Sequence, residues 1–378
     1  MRSLLLAGIL ALLWGCSGSP DKNEASSSQS SEPQTVAVGD VNLRLPSGVP
    51  AEYALLDIGL VIFDPGIPKD PASLSKLGIF PEIRKAEARY LPYLLRRVLV
   101  DTQAWGAVRV LPKPDATAEL QLTGKILVSD GSRLSVHIRA NDASGRVWLD
   151  RAYTDVARTQ DYPVALGGDP YIDLYRKISN DLLDFREKLS QDELARIRDV
   201  SLLQYAASLS PDAFAGFVTP DEEGNLVVRR LPAEDDPMLG RVQRIKNQEY
   251  LFIDNADEQY QELYDRMTPT YNLWRQNGRE LAIYKEEYEE RVANKEREGR
   301  RGTFAAMQQT YNAYSRSKEH DQDLDELAQG FNNEVAPTVM EVEGKVFRLN
   351  GSLESQYNEW RAILRSIFAL ETGLPPVE

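Results

Sequence analysis

The chain has 378 residues, with 58 acidic against 44 basic side chains and a formal charge of −14. That balance argues against nonspecific nucleic-acid binding and against a polybasic membrane surface, since both need a cationic patch facing phosphate. One cysteine and two histidines provide neither a disulfide framework nor a Cys/His metal cluster, so neither metal nor cofactor is expected.

Residues 1–15 have the form of an export signal: Arg2 gives a positive start and Ser3 to Leu13 is an apolar run too short to span a bilayer. Leu13-Trp14-Gly15-Cys16 follows. It resembles the lipobox of bacterial lipoproteins, with Trp14 departing from the usual small residue. The resemblance implies cleavage before Cys16 and lipidation of that cysteine, palmitate included, so that the membrane is engaged through the N-terminal lipid. Each buried acyl CH2 contributes about 0.8 kcal/mol, so several chains hold firmly. Ser17 stands where an Asp resembles an inner-membrane retention signal, which places the protein on the outer membrane facing the periplasm. Residues 16–35 are Ser-rich and polar, and read as a flexible tether.

Residues 36–190 are expected to form an α/β domain. Tyr53 to Phe63 is a buried strand closed by Asp64-Pro65-Gly66, and the Pro-containing segment up to Pro81 reads as a loop. A helix from Pro81 to Thr102 has Ile83, Tyr90, Leu94, Leu95, Val98 and Leu99 on one face and Arg84, Lys85, Glu87 and Arg97 on the other, with a kink or restart at Pro92. Val108 to Leu111 is a strand. Ala118 to Val128 and Leu134 to Ala140 alternate around a left-handed glycine turn at Ser129-Asp130-Gly131-Ser132. Asp142 to Gly145 turns into a strand over Val147 to Val156, and a helix from about Asp169 to Lys188 turns Ile172, Tyr175, Ile178, Leu182 and Phe185 inward.

The order is strand, helix, strand, hairpin, strand, helix. Together with Ala118-Glu119-Leu120-Gln121-Leu122-Thr123-Gly124, Leu134 to Ile138 and Asp142-Ala143-Ser144-Gly145-Arg146-Val147-Trp148, this layout resembles the amino-terminal domain of TolB and the related periplasmic folds of CsgG, LpoB and FlgT. The resemblance covers about residues 53–188 and consists of turns and alternation. It implies an α/β sandwich that serves interaction in envelope assembly. No propeller repeats follow.

Residues 191–378 read as a mainly helical, Tyr-rich domain with a small hairpin, completing an α+β protein. Ser190-Gln191-Asp192-Glu193 caps a helix to about Leu209. Phe214 to Val218 and Leu226 to Leu231 flank an acidic hairpin tip. From about Asp254 the chain turns helical, with Thr268-Pro269 as an N-cap signal and an interruption at Gly278. Gly299 to Gly302 breaks the helix, and Phe304, Met307, Tyr311 and Tyr314, then Leu324, Leu327 and Phe331, resume the spacing, which predicts a long antiparallel helical hairpin. Pro337 opens a Val-rich segment compatible with helix or strand. Ser352 caps a last helix with Tyr357, Trp360, Ile363, Leu364, Ile367 and Phe368 on one face.

The aromatic positions Tyr260, Tyr264, Tyr271, Trp274, Tyr284, Tyr288, Tyr311 and Tyr314 have two readings: packing with the hydroxyl kept wet, or a stacking surface for a glycan or partner helix. Catalytic signatures are weak. His137 reads as a solvent-facing strand residue. Asp321 to Asn332 mimics a calcium loop but has Glu326 where Gly is needed. Ser73-x-x-Lys76 and Ser315-x-x-Lys318 lack their companion motif. The expectation is a nonenzymatic envelope interaction factor with protein partners and no nucleic acid. The alternatives are a peptidoglycan-binding module or regulator of a peptidoglycan enzyme, and a hydrolase using a carboxylate pair.

Overall fold

The computed structural model describes residues 36–298 apart from 49, 52, 53, 78, 116, 166, 234 and 235, together with 322, 326, 329 and 337–374. At 75–77, 260, 263, 281 and 284–298 the description is of the backbone.

Five strands build the first region: β1 (Ile58–Val61), β2 (Val108–Leu111), β3 (Leu120–Ser129), β4 (Arg133–Asp142) and β5 (Val147–Val156). They form one mixed sheet in the order β2-β1-β3-β4-β5. β1 runs parallel to β2 and β3, while β3, β4 and β5 are antiparallel neighbours. The parallel β1–β2 pair needs a long crossover, which α2 (Pro81–Asp101) supplies. The alternation read from the sequence holds: Leu120, Leu122 and Ile126 on β3, and Leu134, Val136, Ile138 and Ala140 on β4, are buried. A further helix, α3 (Ile172–Arg186), packs on β5, where Arg151 pairs with Asp181 at 2.8 Å and the Tyr153 hydroxyl donates to the same carboxylate. The chain before the sheet is pinned as well. The Val38 N–H reaches the Thr154 carbonyl on the edge of β5 at 2.9 Å, and the Arg44 N–H donates to Asn180 Oδ1 on α3.

The segment expected as a loop before Pro81 contains a short helix, α1 (Pro71–Leu77). Asp70 starts it, accepting from the Ala72 N–H and the Ser73 hydroxyl, with Pro71 at the first position. Pro92 lies inside α2 without ending it.

Beyond the sheet come α4 (Gln191–Leu209), the strands β6 (Val218–Pro220) and β7 (Leu226–Val228), α5 (Pro237–Glu298), β8 (Thr338–Val342), β9 (Lys345–Leu349) and a final helix, α6 (Leu353–Thr372). The capping box at Ser190 and the cap at Ser352 form as read. The Val-rich segment after Pro337 is an antiparallel hairpin turning at Glu343-Gly344, both with positive φ.

Helix α5 departs most from expectation. It starts at Pro237, with Asp236 Oδ1 accepting from the Met238 N–H, and runs 62 residues, through Pro269 and Gly278. At 1.5 Å per residue that is about 90 Å of helix. Pro269 is exposed and the neighbouring Thr268 hydroxyl donates back to the Tyr264 carbonyl, so the position expected to begin a helix sits inside one. Along its inner face α5 covers the open edge of the sheet: Asp257 Oδ2 lies 3.5 Å from the Val110 N–H of β2, and Arg109 pairs with Asp254 at 2.8 Å. Unpaired edge groups invite other strands, and a helix laid along them removes that template. One apolar cluster therefore crosses position 190, holding Leu60 and Tyr90 together with Leu203, Tyr264 and Trp360.

Gly278 is read differently once α5 is in place. A Cβ there would lie 2.6 Å from the Asp130 carbonyl oxygen, and a Cβ at Gly131 would lie 2.1 Å from the Arg275 carbonyl oxygen. The helix and the β3–β4 turn meet backbone to backbone. Gly278→Ala, which adds up to about 1 kcal/mol in a free helix, is expected to lower stability by about 1–3 kcal/mol through overpacking. Gly240→Ala on the same helix meets nothing within 4 Å and should be neutral or stabilising. Urea midpoints of the two variants check this, and equal gains from both would remove the close approach from the account.

Candidate functional site

The Asp142 turn anchors one wall of a groove. Asp142 Oδ1 accepts from the Ser144 and Arg146 N–H groups at 2.9 and 3.2 Å, and Oδ2 accepts from the Trp148 indole at 2.8 Å. Gly145 takes the left-handed position, φ +92°. The Asp-x-Ser-Gly-x-x-Trp pattern is thus a structural device that closes the β4–β5 hairpin. It also docks a second hairpin, because the Ser144 carbonyl accepts the Leu226 N–H of β7 at 2.7 Å. The tip of that hairpin is shaped by Asp221 Oδ1, which accepts from Glu223 N–H and Asn225 N–H.

Between β7 and α4 lies the groove, a cavity of about 620 Å³ lined by α4 residues including Arg196, Ile197 and Val200, and by residues 225–231. A further cavity of about 420 Å³ shares Asp199 and Leu231 with it and continues past Leu202, Leu203 and Pro232 to Leu239. Both volumes fall within the usual range of ligand pockets. Ile197, Val200 and Leu203 are buried beneath, whereas Leu231 is 63% exposed at the lip.

Charge in the groove is uneven. Glu193 is engaged by the Ser190 N–H and by Arg146 at 3.1 Å, which together hold its carboxyl down to about 2. Asp221 is engaged by the hairpin tip. Asp199 is pushed up by burial, with Arg198 opposing. By contrast, Arg196, Arg229 and Arg230 have no carboxylate partner among the described residues. Arg229 Nε donates to the Thr219 hydroxyl at 2.7 Å, and the Arg230 guanidinium lies 4.1 Å from the centre of the Phe217 ring.

A second cleft, about 530 Å³, lies between the start of α5, the β8–β9 turn and the end of α6. It brings two carboxylates together. Glu371 beside it raises the Glu343 pKa, and Arg244 pairs with Glu371. Glu371 is already engaged by Arg244, and Glu343 is exposed at the β8–β9 turn rather than enclosed in the apolar pocket that tunes a general acid.

The aromatic positions separate. Tyr264, Tyr271 and Trp274, offered by the sequence as a stacking surface, are instead buried at 4%, 0% and 8% exposure. The physical reason is α2. Tyr264 stacks on Tyr90 with ring centroids 4.4 Å apart, and the Tyr271 hydroxyl donates to Glu87 at 2.6 Å. The side chains of Tyr260, Tyr284 and Tyr288, and residues Tyr311, Tyr314, His320 and Cys16, lie outside what is described, as does most of the calcium-loop mimic. His137 is half-exposed on β4, 3.2 Å from Asp150. Among the described residues no group of three metal-ligating side chains converges, and no helix is long and apolar enough to cross a membrane.

The three groove arginines were missed because arginines normally face solvent. A signal was present: Arg229-Arg230 is a basic pair between two acidic runs, 221–223 and 234–236. No family model, no curated protein and no solved structure matches this chain.

Proposed function

We propose that the chain is a lipid-anchored, nonenzymatic binding protein of the bacterial cell envelope, carried on the outer membrane by acyl chains on Cys16 and holding a partner along the α4 groove. The observation that carries the binding half is the groove itself: an apolar floor beneath three arginines that form no ion pair with a described carboxylate. The anchoring half is supported by Leu13-Trp14-Gly15-Cys16 and the polar stretch after it. The order of strands and helices over residues 53–188 supports kinship with the amino-terminal domain of TolB and with CsgG, LpoB and FlgT, folds that serve interaction in the periplasm.

Labelled palmitate is expected to enter the wild-type protein and not Cys16→Ser, which should move from the membrane to the soluble periplasmic fraction. A Cys16→Ser protein that still fractionated with membranes would overturn the anchor. The peptidoglycan reading makes a separate demand, cosedimentation with purified sacculi. Its stacking-surface form loses support from the burial of Tyr264, Tyr271 and Trp274.

A further inference from the structure

We infer that the groove takes an extended, acidic polypeptide segment, which adds as a third strand to the outer edge of β7. This rests on the binding-protein reading and names the partner's chemistry. The backbone argument comes from register. Val218 pairs with Val228, Thr219 with Val227 and Pro220 with Leu226. The Asp221 N–H bonds the Asn225 carbonyl and the Arg229 N–H bonds the Phe217 carbonyl. In an antiparallel pair hydrogen-bonded and non-bonded positions alternate, so the N–H and C=O of Leu226 and Val228 point outward. Ser144 takes the Leu226 N–H. The outward N–H of Val228 has no partner among the described residues, which leaves a short free edge beside the groove.

Side chains on an added strand alternate between two sides with a period of two. One side would meet the apolar floor at Ile197 and Val200 and the lip at Leu231. The other would meet Arg196 and Arg230, with Arg229 turned toward Thr219 on β6. Carboxylates suit these positions because a guanidinium presents paired donors to a carboxylate, and the Arg230 guanidinium is already placed over the Phe217 ring. In a chain with 58 acids and 44 bases, three arginines that pair with none of the described carboxylates, Glu193, Asp199 and Asp221 of the same groove included, favour a negative partner over a positive one. Main-chain bonds would give affinity, and the alternating pockets specificity.

The test uses the full chain in detergent and a fluorescein-labelled heptapeptide, Glu-Val-Glu-Leu-Glu-Val-Glu, followed by anisotropy. Saturable binding is expected. It should weaken at least tenfold in Arg196→Glu/Arg230→Glu, whose urea midpoint should stay near wild type because both side chains are exposed. It should also be lost when alternate peptide amides on the pairing edge are N-methylated. The Lys-Val-Lys-Leu-Lys-Val-Lys peptide should not bind. Three results would each overturn the inference: no saturable binding, binding indifferent to the arginine exchange, or equal binding of the N-methylated peptide. Displacement by tetragalacturonate at equal carboxylate concentration would also count against it, showing a general anion groove. None of these outcomes touches the palmitate test, so failure here is distinguishable from failure of the anchored-binder reading.

Discussion

Asp169→Ala is expected to destabilise the protein by about 3–5 kcal/mol, the range for removing one partner of a buried ion pair. Asp169 Oδ2 accepts from both terminal nitrogens of Arg275 at 2.9 Å, and the two side chains are 3% and 0% exposed. Arg275 sits on α5 with its guanidinium 4.4 Å from the Tyr271 ring centre and 5.7 Å from that of Tyr171. Remove the carboxylate and a guanidinium stays in a site where the described residues offer it aromatic faces and Asn272. It cannot shed its proton, so the penalty falls on packing: α5 must lift to let water in. Arg275→Met with Asp169→Asn removes both charges and should recover more than half of the loss, because a buried pair replaced by apolar atoms is often close to neutral. Urea unfolding of the single and double variants checks this. If Asp169→Ala cost under about 1 kcal/mol, Arg275 would have to reach solvent, contrary to its burial.

The same helix shows where the sequence was readable and where it was not. Local signals were strong in the sheet region: alternation on β3 and β4, the glycine turns, the apolar face of α2. They follow from backbone chemistry and period, and need no partner to be recognised. The polar face of α2 was misread for the opposite reason. Arg84 and Glu87 were expected to face water, yet they are buried and paired at 3.1 Å. Glu87 also accepts from the Ser129 and Tyr271 hydroxyls. Arg84 reaches the Ser129 carbonyl at the end of β3 and Glu87 meets Tyr271 of α5, nearly two hundred positions away, and no periodicity within α2 records that. A trace did exist on α5 itself. Lys246, Glu249, Asp257 and Arg275 fall on the same three-and-four stripe as Val242, Ile253, Tyr264 and Tyr271. Charges in phase with an apolar stripe mark a helix that buries polar groups against polar partners. The groove had a weaker trace still. Arg229-Arg230 stood out only by contrast of charge, and Arg196 joins them through the docking of one hairpin on another at Ser144.

Those buried charges on α5 make a second large effect, in pH. Asp257 is pushed up to about 7 by burial, against the pull of Arg96, the Val110 N–H and the Tyr93 hydroxyl, with Asp254 adding to the rise. Glu249 is pushed up by burial and by Asp115 beside it, with Arg361, Tyr357 and Tyr205 opposing. Unfolded, both carboxyls ionise near 4. Between about pH 4 and 7 the native state therefore binds more protons than the unfolded state, and stability must fall as pH rises through that window. Below pH 4 both states are protonated and the contribution is fully present. Above 7 both are ionised and it is gone. At about 1.4 kcal/mol per unit, Asp257 alone could account for a change on the order of 2–4 kcal/mol. Asp155, pushed up to about 6 chiefly by burial, changes in the same direction. Glu193 works the other way, but its stabilisation is lost only as pH falls from its ordinary value toward 2. The denaturation midpoint should thus be higher at pH 5 than at pH 8. Asp257→Asn keeps an oxygen for the Val110 N–H while removing the proton, so it should flatten the profile and stabilise most at pH 8. A midpoint that rises from pH 5 to 8, or an Asp257→Asn profile parallel to wild type, would mean that α5 meets β2 with its carboxylate in water.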